Sequence, residues 1–119
     1  MKKLISWVEI PATNMDRAVK FYNALLGLNL EILDFGEEKM ACFPGDEGAI
    51  SLAPDFSPSK DGVLVSLNVG DGLEDALITI KNQGGSIVKP KTKIEAEGRG
   101  YFALFMDSEG NKVGLYGDR

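Results

Sequence analysis

No histidine occurs anywhere in the 119 residues. That removes the commonest general base at neutral pH and the commonest ligand of transition metals, and with them His-dependent nucleophile triads and His-containing zinc motifs. Cysteine occurs once, at Cys42, so no intrachain disulfide is expected. Basic residues are outnumbered, 13 Lys and Arg against 18 Asp and Glu, for a net charge of −5. Sequence-independent nucleic-acid binding, which neutralises phosphates with cations, is therefore not expected. No apolar run nears the ~20 residues of a membrane-spanning helix, and no membrane partner is expected. The opening MKKLISWVEIP has the lysines and apolar start of a secretion signal. Glu9 and Pro11 interrupt that run and no small-residue cleavage site follows, so the cytoplasm is the expected compartment.

What is present is a globular composition, 44% hydrophobic and 26% charged, at a length suited to one domain, 1–119. Residues 4–10 alternate like a strand that Pro11 stops. Thr13 or Asn14 caps a helix in which Met15, Ala18, Val19, Tyr22, Leu25 and Leu26 recur at helical spacing and which Gly27 ends. Strands are predicted near 28–35, 38–43 and 48–53, the last two joined by a tight turn at 45–48. The order then repeats: a strand over 62–69, a helix over 72–83 ending at Gly84-Gly85, and strands near 86–88, 99–106 and 111–117. Met15, Asp16, Ala18 and Gly27 match Leu73, Glu74, Ala76 and Gly85, each 58 residues on. Phe43, Glu47 and Gly48 match Phe105, Glu109 and Gly110, each 62 on, and Ile50-Ser51-Leu52 falls on Val113-Gly114-Leu115. The chain reads as an α+β fold of two tandem βαβββ modules, 1–55 and 62–119, joined by a linker at 56–61. Gly27 and Gly85, equivalent in the two copies, are both expected to need left-handed backbone.

One helix covers one face of each four-stranded sheet, and two such sheets can turn their other faces toward a shared cleft. Alternation assigns Trp7, Glu9 and Pro11 to that face, with Ala49, Ser51 and Ala53, then Leu64, Ser66 and Asn68, then Lys112, Gly114 and Tyr116. Val8 and Ile10 go to the first helix, and Val63, Val65 and Leu67 to the second. Glu9 can meet a cationic ligand, act as a base, or pair with Lys112 or a surface Arg. Trp7 and Tyr116 offer flat apolar surface or simply fill space. Cys42, on a strand without a His partner, reads as packing. The GDGLED of 70–75 echoes a dinucleotide fingerprint but lacks its third glycine, and reads as a helix start. The basic Lys89-Pro-Lys91-Thr-Lys93 reads as a solvated loop.

The stretches WVEIPATNMDRAVKFYNALLG, VSLNVGDGLEDALITIKNQGG and FMDSEGNKVGLYG resemble the vicinal oxygen chelate superfamily of glyoxalase I, bleomycin resistance proteins and extradiol dioxygenases. Ser108 stands where that pattern often has Pro. The resemblance implies the paired-module fold, a homodimer, and, in metal-dependent members, four cleft ligands that fall here on Trp7, Ser51, Leu64 and Gly114. A divalent metal needs several N or O donors, and of these only the Ser51 hydroxyl offers one. No metal or other cofactor is expected. The expected function is small-molecule binding in the cleft by Trp7, Glu9, Ser51, Leu64, Ser66, Asn68, Gly114 and Tyr116. The alternative is a lyase, isomerase or dioxygenase of the same family with a non-standard or metal-free site, for which Glu9 is the one catalytic candidate. A structural or regulatory module without a ligand is the third reading.

Overall fold

A computed structural model describes residues 3–119. The elements are β1 (Val8–Pro11), α1 (Met15–Leu26), β2 (Ile32–Asp34), β3 (Lys39–Cys42), β4 (Gly48–Leu52), β5 (Ser66–Asn68), α2 (Leu73–Asn82), β6 (Ser86–Lys93), β7 (Tyr101–Met106) and β8 (Lys112–Gly117). They form two four-stranded sheets, ordered β1-β4-β3-β2 and β5-β8-β7-β6. In each, the first strand pairs parallel with the last and the other pairings are antiparallel. The helix between strands one and two of each module is the crossover that parallel pairing requires. The duplication read from the sequence is the architecture of the chain.

Helix α1 begins at Asn14 rather than Thr13. The Asn14 side chain accepts the Arg17 N–H at 3.0 Å, meeting one of the donors a helix start leaves free. It stops at Gly27, whose φ of 65° is left-handed and whose N–H reaches the Asn23 carbonyl. Its buried residues, Met15, Ala18, Val19, Phe21, Tyr22 and Leu25, join residues of both sheets in one core. Phe21 of the first module stacks on Phe105 of the second at 6.0 Å. The modules thus share a hydrophobic interior.

A polar junction fixes that arrangement. The β7–β8 hairpin places Glu109 against the start of α1, its side chain 1% exposed. The backbone N–H groups of Thr13 and Asn14 both donate to its Oε1 at 2.9 Å. Arg17 donates from Nε to Oε2 at 2.6 Å and from Nη2 to Oε1 at 3.0 Å, a two-pronged contact that suits guanidinium to carboxylate. A negative group also complements the positive end of α1. Beneath it the buried Tyr22 hydroxyl donates to Asp107 at 2.7 Å, while Asn111 donates to Asp107 and to the Pro11 carbonyl.

Four expectations are corrected. Strand β6 is not a short 86–88 strand followed by a Lys-rich loop: it runs through Lys89-Pro90-Lys91-Thr92-Lys93. Proline is tolerated because β6 is an edge, and the register shifts around Lys89 mark the irregularity. Strand β5 begins at Ser66, not 62, since its pairing with β8 opens at Ser66 opposite Gly114. Val63 is consequently 93% exposed rather than packed on α2. The left-handed residue after α2 is Gly84, with φ of 93°. Gly85 is needed for room: a Cβ there would lie 2.6 Å from the Met106 carbonyl and 3.0 Å from the Phe21 ring. Strand β2 is also shorter than 28–35, pairing with β3 only over 32–34.

Two measurements check this account. Gly27→Ala should cost on the order of 1 kcal/mol in urea unfolding, from positive φ alone. Gly85→Ala should cost about 2–3 kcal/mol, because backbone blocks the new methyl; equal, small losses would contradict the distinction. Burial works to raise the Glu109 pKa, but hydrogen bonds from Arg17, Asn14, Thr13 and Ser108 prevail and hold it at about 2, below its ordinary 4.5. A carboxylate depressed in the folded state stabilises fully above its unfolded pKa, and that contribution fades as pH falls from about 4.5 toward 2. With Arg17 half exposed, the loss should be on the order of 1–2 kcal/mol. E109Q should be less stable at pH 7 and flatter in its acid dependence; a parallel pH profile would refute the role.

Candidate functional site

Register identifies the faces that α1 and α2 leave uncovered. In the first sheet, Glu9 lies opposite Ala49, which lies opposite Cys42, and the next row runs Pro11, Ser51, Met40, Leu33. In the second sheet the rows are Ser66, Gly114, Leu104, Lys89 and Asn68, Tyr116, Phe102, Thr92. Side chains directly opposite one another share a face. The residues between these rows, among them Ile10, Ala41, Ile50, Ala103, Phe105 and Leu115, are buried, and within the rows Ala49 and Ser51 are buried too.

Glu9 and Ser51 meet directly: the Ser51 hydroxyl, 3% exposed, donates to Glu9 Oε1 at 2.7 Å. Glu9 does not pair with Lys112. Among the described residues, the ion pairs engage Glu109, Asp61 and Glu74 instead. Trp7 directly precedes β1 and is 38% exposed; Leu64 precedes β5 and is 48% exposed. Gly114 leaves the space that Ser66 fills, since a Cβ there would stand 2.5 Å from Ser66 Oγ. Asn68 closes the 70–72 turn by accepting the Gly70 N–H, and the Tyr116 hydroxyl accepts the Gly100 N–H. Both are thereby oriented by local backbone.

The helix-free faces also carry Met40, Phe102 and Leu104, which the sequence reading did not assign, and Cys42, which it assigned to packing. Their signal was the alternation in KMACF and YFALFM, where Ala41, Ala103 and Phe105 take the buried positions. Cys42 is an exposed free thiol, not a packing residue. Backbone bonds also revise one equivalence. Ala12 donates to Ser51 as Val69 donates to Tyr116, both at 2.9 Å. Ser51 therefore matches Tyr116, and Ala49 matches Gly114.

The strand order, helix placement and paired modules are those of a known family. A sequence profile of the glyoxalase/bleomycin resistance protein/dioxygenase superfamily matches residues 4–115. The chain belongs to that superfamily. A glyoxylase-like domain-containing protein from Didymella fabae is 32% identical over 116 residues, covering 90% of this chain and 88% of its own. A glyoxalase/bleomycin resistance protein from Albidiferax ferrireducens has a TM-score of 0.72 at 17% identity, covering 97% of this chain and 98% of its own. Glyoxalase I from Zea mays gives 0.66 at 19% identity, covering 95% of this chain and 45% of that larger one. At these identities the solved structures show the fold alone.

The metal that some members of this superfamily hold does not fit these residues. Trp7 and Leu64 supply no donor, Gly114 has no side chain, Ala49, which matches it, has none to offer, and the neutral Ser51 hydroxyl is a feeble ligand. Among the described residues, no three Cys, Asp or Glu side chains converge as a ligand set. Protein purified without chelator should hold no stoichiometric Zn, Ni, Fe or Mn by elemental analysis. EDTA should leave its melting temperature unchanged, as no binding energy is lost; about one metal per chain, removed together with stability, would overturn this.

Proposed function

We propose that the chain binds a small molecule on the helix-free faces, without a metal, and that two copies complete the site. The observation that carries the reading is the face itself. Trp7, Met40, Phe102, Leu104 and Tyr116 supply apolar surface, and a few oriented polar groups, Glu9-Ser51, Ser66 and Asn68, supply specificity, the usual make-up of a ligand site. A metal-free enzyme in which Glu9 moves a proton is the alternative. It rests on the same Glu9-Ser51 contact and would need turnover to support it. The one thiol, exposed and free, suits a reducing compartment such as the cytoplasm.

The case for a second copy lies in the sheet edges. Strands β2 and β6 are guarded: Asp34, Glu37 and Glu38 surround the first, and Lys89, Pro90, Lys91 and Lys93 lie along the second, the devices that keep edges from pairing. Strand β5 carries neither charge nor proline, and β1 has only Glu9 and Pro11. Around their starts Leu4 is 97% exposed, Ile5 61%, Val63 93% and Leu64 48%. Between these strands an open groove of about 760 Å³ is lined by Leu4, Ile5, Val8, Phe43, Val65 and Leu67. Ser66 and Asn68 also reach it, but neither Glu9 nor Ser51 does, and we read it as the uncovered seam rather than the main ligand seat. β1 of one copy set against β5 of the other would cover the seam and join a helix-free face from each chain.

Light scattering at micromolar concentration should give about twice the 12.9 kDa chain mass, and Leu64→Lys should shift the species toward monomer. A monomer across that range would refute the assembly. Small aromatic ligands should perturb Trp7 fluorescence saturably and raise the melting temperature by several degrees near 100-fold over Kd, where binding adds about 2.7 kcal/mol. A broad panel with no saturable effect would refute the binding reading.

A further inference from the structure

We infer that Asp61 is a site of spontaneous backbone modification, at which the folded chain rearranges through a cyclic imide to isoaspartate. The sequence holds two Asp-Gly steps, Asp61-Gly62 and Asp71-Gly72, and no Asn-Gly. Glycine leaves its nitrogen unshielded and its backbone free to turn, so that nitrogen can reach the preceding carboxyl. As dipeptides the two steps are equal; their surroundings separate them. Gly72 sits at the start of α2, where its N–H donates to the Val69 carbonyl at 2.9 Å and its carbonyl accepts the Ala76 N–H at 2.9 Å. Asp61 and Gly62 are both exposed, on the segment between β4 and β5. The Gly62 N–H has no partner among the described residues. Asp61 is held by its own N–H, which donates to Ser59 Oγ at 3.0 Å, and by a solvent-exposed pairing with Lys60 at 3.4 Å, a contact worth little. The flanking anchors are Ser59, bonded to Asn111 and Lys112, and Val65, whose carbonyl accepts the Gly114 N–H. Residues 60–64 can therefore bend into the ring without losing a bond to either sheet.

The Gly62 nitrogen attacks Asp61 Cγ, a C–N bond forms, and the carboxyl OH leaves with the amide proton as water. Water then opens the imide, so no atom is gained or lost overall and nothing is oxidised or reduced. Opening at Cγ restores aspartate. Opening at the Asp61 main-chain carbonyl leaves the backbone running through Cβ and Cγ, longer by one methylene, with the former main-chain carboxyl free. At Asp71 the same attack first requires the Gly72 hydrogen bond to break and the start of α2 to open, which raises the barrier.

The test incubates the folded protein at neutral pH in heavy-oxygen water, where every ring that opens takes up one heavy oxygen whichever product forms. Digestion in ordinary water then puts both aspartates on the tryptic peptide 61–81, and fragment-ion mass spectrometry assigns the label. Asp61 should label about tenfold faster than Asp71, the factor that roughly 1.4 kcal/mol of added barrier gives. In denaturing urea the two should label at similar rates. Gly62→Val should bring Asp61 down to the level of Asp71; a Cβ at Gly62 meets only ordinary contacts with Ser59, 3.7 Å away. Equal labelling in the folded protein, or none at Asp61, would overturn the inference. So would a preference for Asp61 that persists in urea, or labelling that Gly62→Val leaves unchanged. Should Gly62→Val not fold, the folded and urea rates decide.

Discussion

The contact on which the rest of the structure depends is the Glu109 carboxylate at the start of α1. A hairpin of the second module caps and charge-complements the helix of the first, so the modules are joined through a helix end and a turn rather than through their strands. Phe21 on Phe105 and Tyr22 on Asp107 follow from it, because they lie along the same helix face and the same hairpin. Joining the modules there leaves β1 and β5 as free edges on one molecule. The shared core and the exposed seam are two consequences of one junction.

Much of this was legible in the residues, and what was hidden was hidden for physical reasons. Helix periodicity, the Gly27 stop and the strand–helix–three-strand order appear in local patterns, and they hold. Glu109 was not legible: it matches Glu47 letter for letter, but only Glu109 is buried on a helix start 95 residues away in sequence. Long-range partners leave no local signature. Gly85 likewise matches Gly27 in sequence while serving a packing role, since Gly84 takes the left-handed turn. Pro90 in a strand reads as a loop unless the strand is known to be an edge.

The site shows the same division. Alternation correctly placed Glu9 and Ser51 on one face, because period two is a local property. Their hydrogen bond, across a sequence separation of 42, was not predictable from local pattern. Met40, Phe102 and Leu104 sit on middle strands, whose alternate residues line the same surfaces as those of the first and last strands. The absence of histidine had the widest reach: with Trp7 and Leu64 at two of the positions the family resemblance assigns to ligands, the usual imidazole donors are missing there.

The central claim is that the free edges of β1 and β5 are closed by a second copy to complete the ligand face. In both parallel pairs alternate residues turn their backbone toward the partner, shown by Val8 donating to Glu47 and Val69 to Tyr116. The N–H groups of Glu9, Ser66 and Asn68 therefore point outward, and none of them pairs with another of the described residues. Amide hydrogen exchange resolved at these three residues tests the claim most directly. The account predicts protection at high micromolar concentration that fades on dilution, while Ile10 and Leu67 stay protected throughout. Rapid exchange of Glu9, Ser66 and Asn68 at every concentration would contradict it.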